Sequence, residues 1–193
     1  MRLLRLGLLC LVLLVPVLPG AEPARGFDID YDLVFSRNAG QVQRPSSAYE
    51  QLELPGPVIL RRYAQRIEAT DQSGWGPAGC ALSKLLIATA VARHCPALFD
   101  AEELAAISGQ MLRGAAFFAA NTVPPLSAPA RDAALIAALE ALAAESAATL
   151  SAACSDPQSA HVAFARHLAE PAIRDRYTRI FEQPRLPVSH PCN

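Results

Sequence analysis

Charge, aromatic rings and lysine are all scarce in this sequence. Only 18% of the 193 residues are charged and 6% are aromatic. Lys84 is the single lysine; arginine supplies the other 16 of the 17 basic residues. The formal net charge is −1 and the isoelectric point about 6.4. There is thus no basic surplus of the kind nucleic-acid binding uses. Hydrophobic residues make up 52% of the chain. That content, combined with low charge, excludes a disordered chain. Few rings and abundant alanine favour helices over a β-sandwich. No CxxC, CxxCH or paired Cys/His spacing of a zinc module is present.

Part of the apolar content sits in one N-terminal stretch. Met1-Arg2-Leu3-Leu4-Arg5 is positive, Leu6 to Leu18 is an unbroken apolar run, and Gly20 and Ala21 are small. That order is a secretory signal peptide, and the run is short of the roughly 20 residues a membrane span needs. Removing residues 1–21 leaves 15 basic and 18 acidic residues, a net charge of −3, and no stable membrane span is expected afterwards. The arginine bias and alanine excess suit a GC-rich bacterial genome. The expected destination is therefore the periplasm or the medium.

The remaining cysteines are Cys80, Cys95, Cys154 and Cys192. An even number in an oxidising compartment implies two disulfides. A helix from Cys80 to Cys95 would hold their Cα atoms about 22 Å apart, whereas a disulfide tolerates about 7 Å. With short connections, sequential helices are antiparallel neighbours. Cys95 and Cys154 then end two helices at the same end of a bundle, and Cys80 lies at the other end near the tail. The expected pairs are Cys95–Cys154 and Cys80–Cys192.

Residues 22–46 read as an irregular N-terminal arm. Phe27 to Leu33 alternates like a strand, yet Phe27, Tyr31 and Val34 also share a helical face. From Ser47 the pattern reads as helical. Ser47 and Glu50 have capping-box spacing, Pro55-Gly56 ends that helix, and Pro57 opens another with Leu60, Tyr63, Ala64 and Ile67 on one face. A nearly all-apolar helix over 78–94 suits the centre of a bundle. Further helices are expected from Asp100-Ala101-Glu102-Glu103 to about Ala120, from Ser127 to about Ala153, from Asp156-Pro157 onward, and beyond Pro171. Pro184, Pro187 and Pro191 make an extended tail. The expectation is an all-α, single-domain, up-down bundle of five to six helices over 47–183, with a proline-rich tail, 184–193, tied down by Cys192.

Candidate functional residues are few. Gly74-Trp75-Gly76-Pro77-Ala78-Gly79 matches GxGxxG, but with no preceding strand or βαβ unit it reads as a turn, not a dinucleotide site. Asp28, Asp30 and Asp32 lack the glycine and glutamate of a calcium loop. His94 and His161 approach one bundle end if Cys95 bonds Cys154, but the nearby Asp100 and Asp156 are better used as helix caps. No metal and no cofactor is expected. Lys84 is adjacent to Ser83, but sequence neighbours point about 100° apart on a helix, so they form no catalytic dyad. Glu50 and Glu53 could share a helical face as paired carboxylates. Trp75 reads as a plug at a bundle end or as an interaction residue. Arg174, Arg176 and Arg179, with Arg185, form a basic C-terminal region that would suit an acidic partner. The expected function is that of an exported, non-enzymatic factor binding another envelope or secreted protein. The alternatives are a small periplasmic hydrolase and a binder of apolar ligands.

Overall fold

A computed structural model describes residues 26–192. The signal peptide expected at residues 1–21 lies outside the described residues. The chain folds as α1 (Tyr31–Arg37), β1 (Gln43–Ser46), β2 (Tyr49–Leu54), β3 (Val58–Arg62), β4 (Ile67–Asp71), α2 (Ala78–His94), α3 (Ala101–Asn121), α4 (Ala128–Glu145), α5 (Ala147–Ser155), α6 (Ala160–Ala169) and α7 (Pro171–Ile180). The architecture is mixed: a four-stranded antiparallel meander, ordered β1-β2-β3-β4, precedes a helical array. The all-α expectation is therefore wrong, and its error is confined to residues before Gln72.

Two helices were expected where β2, β3 and β4 lie. Leu52 pairs with Leu60, Leu54 with Val58, and Leu60 with Ala69. Side chains alternate across a strand, so these residues share one face, and Leu52, Val58 and Leu60 are fully buried there. Gly56 turns β2 into β3 at φ +109°. That conformation is open to glycine and strained for other residues. Glu50, assigned to a capping box by its spacing, instead reaches across the strands to Arg44 and Arg62, at 2.8 and 2.5 Å. Three-residue spacings fit a helix, but the period-two burial of Leu52, Leu54, Val58 and Leu60 prevailed.

The expected irregular arm also contains regular structure. The Asp30 carboxylate accepts from the Leu33 N–H at 2.8 Å. It thereby caps α1, satisfying one of the orphan amides of the first turn. Val34 and Phe35 of α1 pack under the sheet. The helical face through Tyr31 and Val34 thus prevails over the strand reading of Phe27 to Leu33.

The helical half follows its sequence pattern more closely. α2 is buried on nearly every side and packs on α3, α4, α5, α6 and α7. Asp100 and Glu103 form the expected reciprocal capping box of α3. The single helix expected from Ser127 to Ala153 is instead α4 and α5, bent by 75° at Ser146. The bend carries α5 back over the C-terminus of α2, where Cys154 meets Cys95. Ser159, not Asp156, caps α6; Asp156 instead accepts from the Gln158 N–H in the preceding turn. Among the described residues, no single helix is long and apolar enough to cross a membrane.

Both expected disulfides are present: Cys80–Cys192 and Cys95–Cys154, with Cα separations of 5.5 and 5.2 Å. They are consistent with an oxidising compartment. The proline-rich tail is more than an appendage. Leu186 and Val188 complete the sheet's core, the Gly79 N–H donates to the Val188 carbonyl, and the Asp71 N–H donates to the His190 carbonyl. The tail therefore runs between the β4 edge and the start of α2.

A candidate binding groove

Helical spacing builds the site. On α2, Lys84 lies one turn beyond the adjacent Cys80 and Ala81. On α6, Phe164, His167 and Leu168 share a face, as do Ile173, Arg176, Tyr177 and Ile180 on α7. These three faces converge on a groove of about 380 Å³. The Trp75-Gly76-Pro77 loop closes one rim, and Pro191 from the tail closes another. The groove is a half-open trough with one side facing solvent.

Its chemistry is apolar and aromatic with positive charge. Lys84, His167 and Arg176 line it, and among the described residues no Asp or Glu does. His167 Nδ1 lies 3.2 Å from Glu170, so that imidazole has a neighbouring carboxylate outside the lining. Burial pushes the Tyr177 phenol up to about 12, against a smaller opposing effect of Arg176. The phenol is therefore neutral at physiological pH. Cys80 is held in its disulfide and offers no thiol.

A buried ion pair supports the rim. Arg185 Nε donates to Asp71 Oδ2 at 2.6 Å, and both side chains are fully excluded from solvent. The same guanidinium donates to the carbonyls of Ile180, Gln183 and Gly76, at 2.8, 2.9 and 2.7 Å. Asp71 also accepts from the Ser73 N–H at 2.7 Å. One arginine thus ties β4, the Trp75 loop, the end of α7 and the tail together. Buried charges are tolerated only when satisfied in this way. Arg185 was expected on the basic C-terminal surface; it is instead 4% exposed. Its sequence signal was ambiguous, because an arginine between prolines resembles the exposed arginines before it.

The structure separates the other candidates. Trp75 does not plug the bundle: it is 44% exposed on the groove rim, together with Arg176. Arg174 lies outside the groove on α7, where its carbonyl accepts from Gln110 Nε2 of α3. Arg179 is exposed and also outside the groove. His161 and His94 line two separate shallow depressions beside α4 and α5. Among the described residues, no cluster of three or more His, Cys, Asp or Glu side chains could hold a metal. Asp30 is a helix cap, and Asp32 lies 3.5 Å from Arg62. Ser83 donates to the Gly79 carbonyl, away from any dyad with Lys84.

A strand does precede the GxGxxG match, contrary to expectation, but it belongs to an antiparallel meander. Gly74 and Gly76 adopt φ +77° and +98° to turn the loop. At Gly79 the tail backbone occupies the space a Cβ would need. The three glycines serve a turn and a close chain crossing, not a pyrophosphate.

Phe164, His167 and Tyr177 are groove residues that sequence reasoning left as helix seams or did not single out. Their i, i+3, i+4 spacing marks an inward face, but does not distinguish a core from a trough. No protein-family model, no curated protein and no solved structure matches the chain.

Proposed function

We propose that this is an exported, non-enzymatic binding protein of the cell envelope or medium, and that the groove between α2, α6 and α7 receives a segment of another protein. The observation that carries this reading is Trp75, the sole tryptophan, 44% exposed at the rim of an aromatic and cationic trough. Tryptophan, tyrosine and arginine dominate the binding energy of protein interfaces. Among the described residues, the lining supplies rings and cations without a carboxylate, an aliphatic hydroxyl or a free thiol. That inventory favours holding a ligand over hydrolysing one. Export is supported by the two disulfides and by the signal-like N-terminus.

Affinity capture from the native envelope tests the reading. The mature chain should retain a partner, Trp75→Ala should lose it, and Leu112→Ala should keep it. Leu112 is 55% exposed on α3 and is not part of the groove lining, so it controls for general surface stickiness. Equal retention by all three proteins would remove the groove from the account.

A further inference from the structure

We infer that the segment taken by the groove is acidic: an extended peptide bearing a carboxylate beside an apolar or aromatic side chain. This inference rests on the groove being a protein-binding site. The chain has 18 acidic residues against 17 lysines and arginines, yet among the described residues the trough is lined by Lys84, Arg176 and His167 and by no Asp or Glu. Its lysine and arginine are Lys84 on α2, which already has an interaction of its own, and Arg176 on α7. Arg176 is exposed and, among the described residues, has no hydrogen-bond or ion-pair partner. The rings of Tyr177 and Phe164 line the same trough, together with the exposed Trp75. A ligand that satisfies both features must carry negative charge and apolar surface within one or two residues of each other. Arginine presents a planar fork that suits a carboxylate bidentately.

The trough's open side favours a peptide over a small free anion. Small-molecule sites bury roughly 70–90% or more of their ligand as a rule, whereas this groove leaves one flank in solvent. An extended segment places alternate side chains on opposite faces. One face can enter the trough while the other remains hydrated. The mature chain's net charge of −3 would weakly repel an acidic protein elsewhere on its surface. The cationic groove therefore also fixes where such a partner can dock.

Selection of a displayed random-peptide library on the full mature chain tests the inference. The retained peptides should be enriched in Asp or Glu next to Phe, Tyr, Trp or Leu. Synthetic copies should bind about tenfold more weakly to Arg176→Glu and to Trp75→Ala. Arg113→Glu, an equal charge change on the exposed part of α3, should bind as the unaltered protein does. Raising the salt from about 0.05 M to about 0.5 M should weaken binding severalfold. Neutral or basic peptides that still require Trp75 would overturn the acidic preference while leaving the groove as a protein-binding site. Absence of any Trp75-dependent peptide would overturn both. Displacement of the peptides by phenylacetate at equal concentration would reassign the groove to a small carboxylate and also overturn the inference.

Discussion

Among the described residues, 28 buried residues form the larger core around α2, and nine of them are alanine. Under the sheet the core has seven buried residues among those described, and the strands supply only Leu52, Val58 and Leu60. The other four come from α1 (Val34, Phe35) and from the tail (Leu186, Val188). The helical half closes on itself, through small residues that let helices approach and through the Cys95–Cys154 staple. The sheet half is incomplete without a segment from the far end of the chain. With so few buried side chains of its own, the sheet relies on the tail, Arg185 and the Cys80–Cys192 staple, which hold it to the helices. The same tail supplies Pro191 to the groove, and Arg185 holds the Gly76 carbonyl beside Trp75. The weaker half and the binding site therefore depend on one element.

The most severe way to break this asymmetry is Arg185→Ala. It leaves Asp71 charged, buried and unpaired, and should cost about 3–5 kcal/mol in denaturant unfolding. Asp71→Ala should cost a similar amount, and the double variant less than the sum of the two. A loss below about 1 kcal/mol for Arg185→Ala, the range of an exposed ion pair, would show that the tail does not carry the sheet. Removing a disulfide by paired Cys→Ser changes should cost about 2–4 kcal/mol. Cys80–Cys192 spans 112 residues and Cys95–Cys154 spans 59. Chain entropy alone makes the longer bridge worth about 0.6 kcal/mol more. Amide exchange should locate the difference: loss of Cys80–Cys192 should speed exchange in β3 and β4 more than in α3. Gly56→Ala is a smaller perturbation. It strains a backbone at φ +109° and pushes a methyl against the Arg185 side chain. The expected loss is about 1–3 kcal/mol by thermal or chemical unfolding.

The mildest effect lies on the outer part of the sheet. The Arg62 guanidinium, and then that of Arg44, hold the Glu50 carboxyl below the usual carboxylate range. Protonation is therefore harder in the folded state than in the unfolded one. The stabilisation is fully present above the ordinary glutamate pKa and is lost as pH falls through the depressed folded value. Glu50→Gln should lower the neutral-pH midpoint slightly and flatten the acid limb, so that the two proteins converge at low pH. An acid limb as steep as that of the unaltered protein would show that these contacts are solvent-screened to no effect.

The two halves also differed in how far they could be read from sequence. α2, the α3 capping box and both disulfide pairs were legible, because a long apolar helix and a cap followed by acidic residues each admit one geometry. Residues 47–71 carried two consistent patterns. Ser47 and Glu50 suited a cap, and Leu60, Ala64 and Ile67 suited a helix face, while Leu52, Leu54, Val58 and Leu60 suited strands. What decides between them is the partner surface of Phe35, Leu186 and Val188, and that contact is non-local. The groove was legible in part: Trp75 and Arg176 were singled out and both line it, whereas Arg174 and Arg179 on the same helix as Arg176 lie outside it. A residue's place on an amphipathic face does not reveal whether a neighbouring helix covers it.

The binding claim is tested most directly by photo-crosslinking in the producing cell. A benzophenone side chain is placed at position 75, and in a parallel strain at position 112. The account predicts a discrete crosslinked adduct from position 75 that disappears with Arg176→Glu, and none from position 112. Equal adducts from both positions, or none from position 75 at full expression, would contradict it.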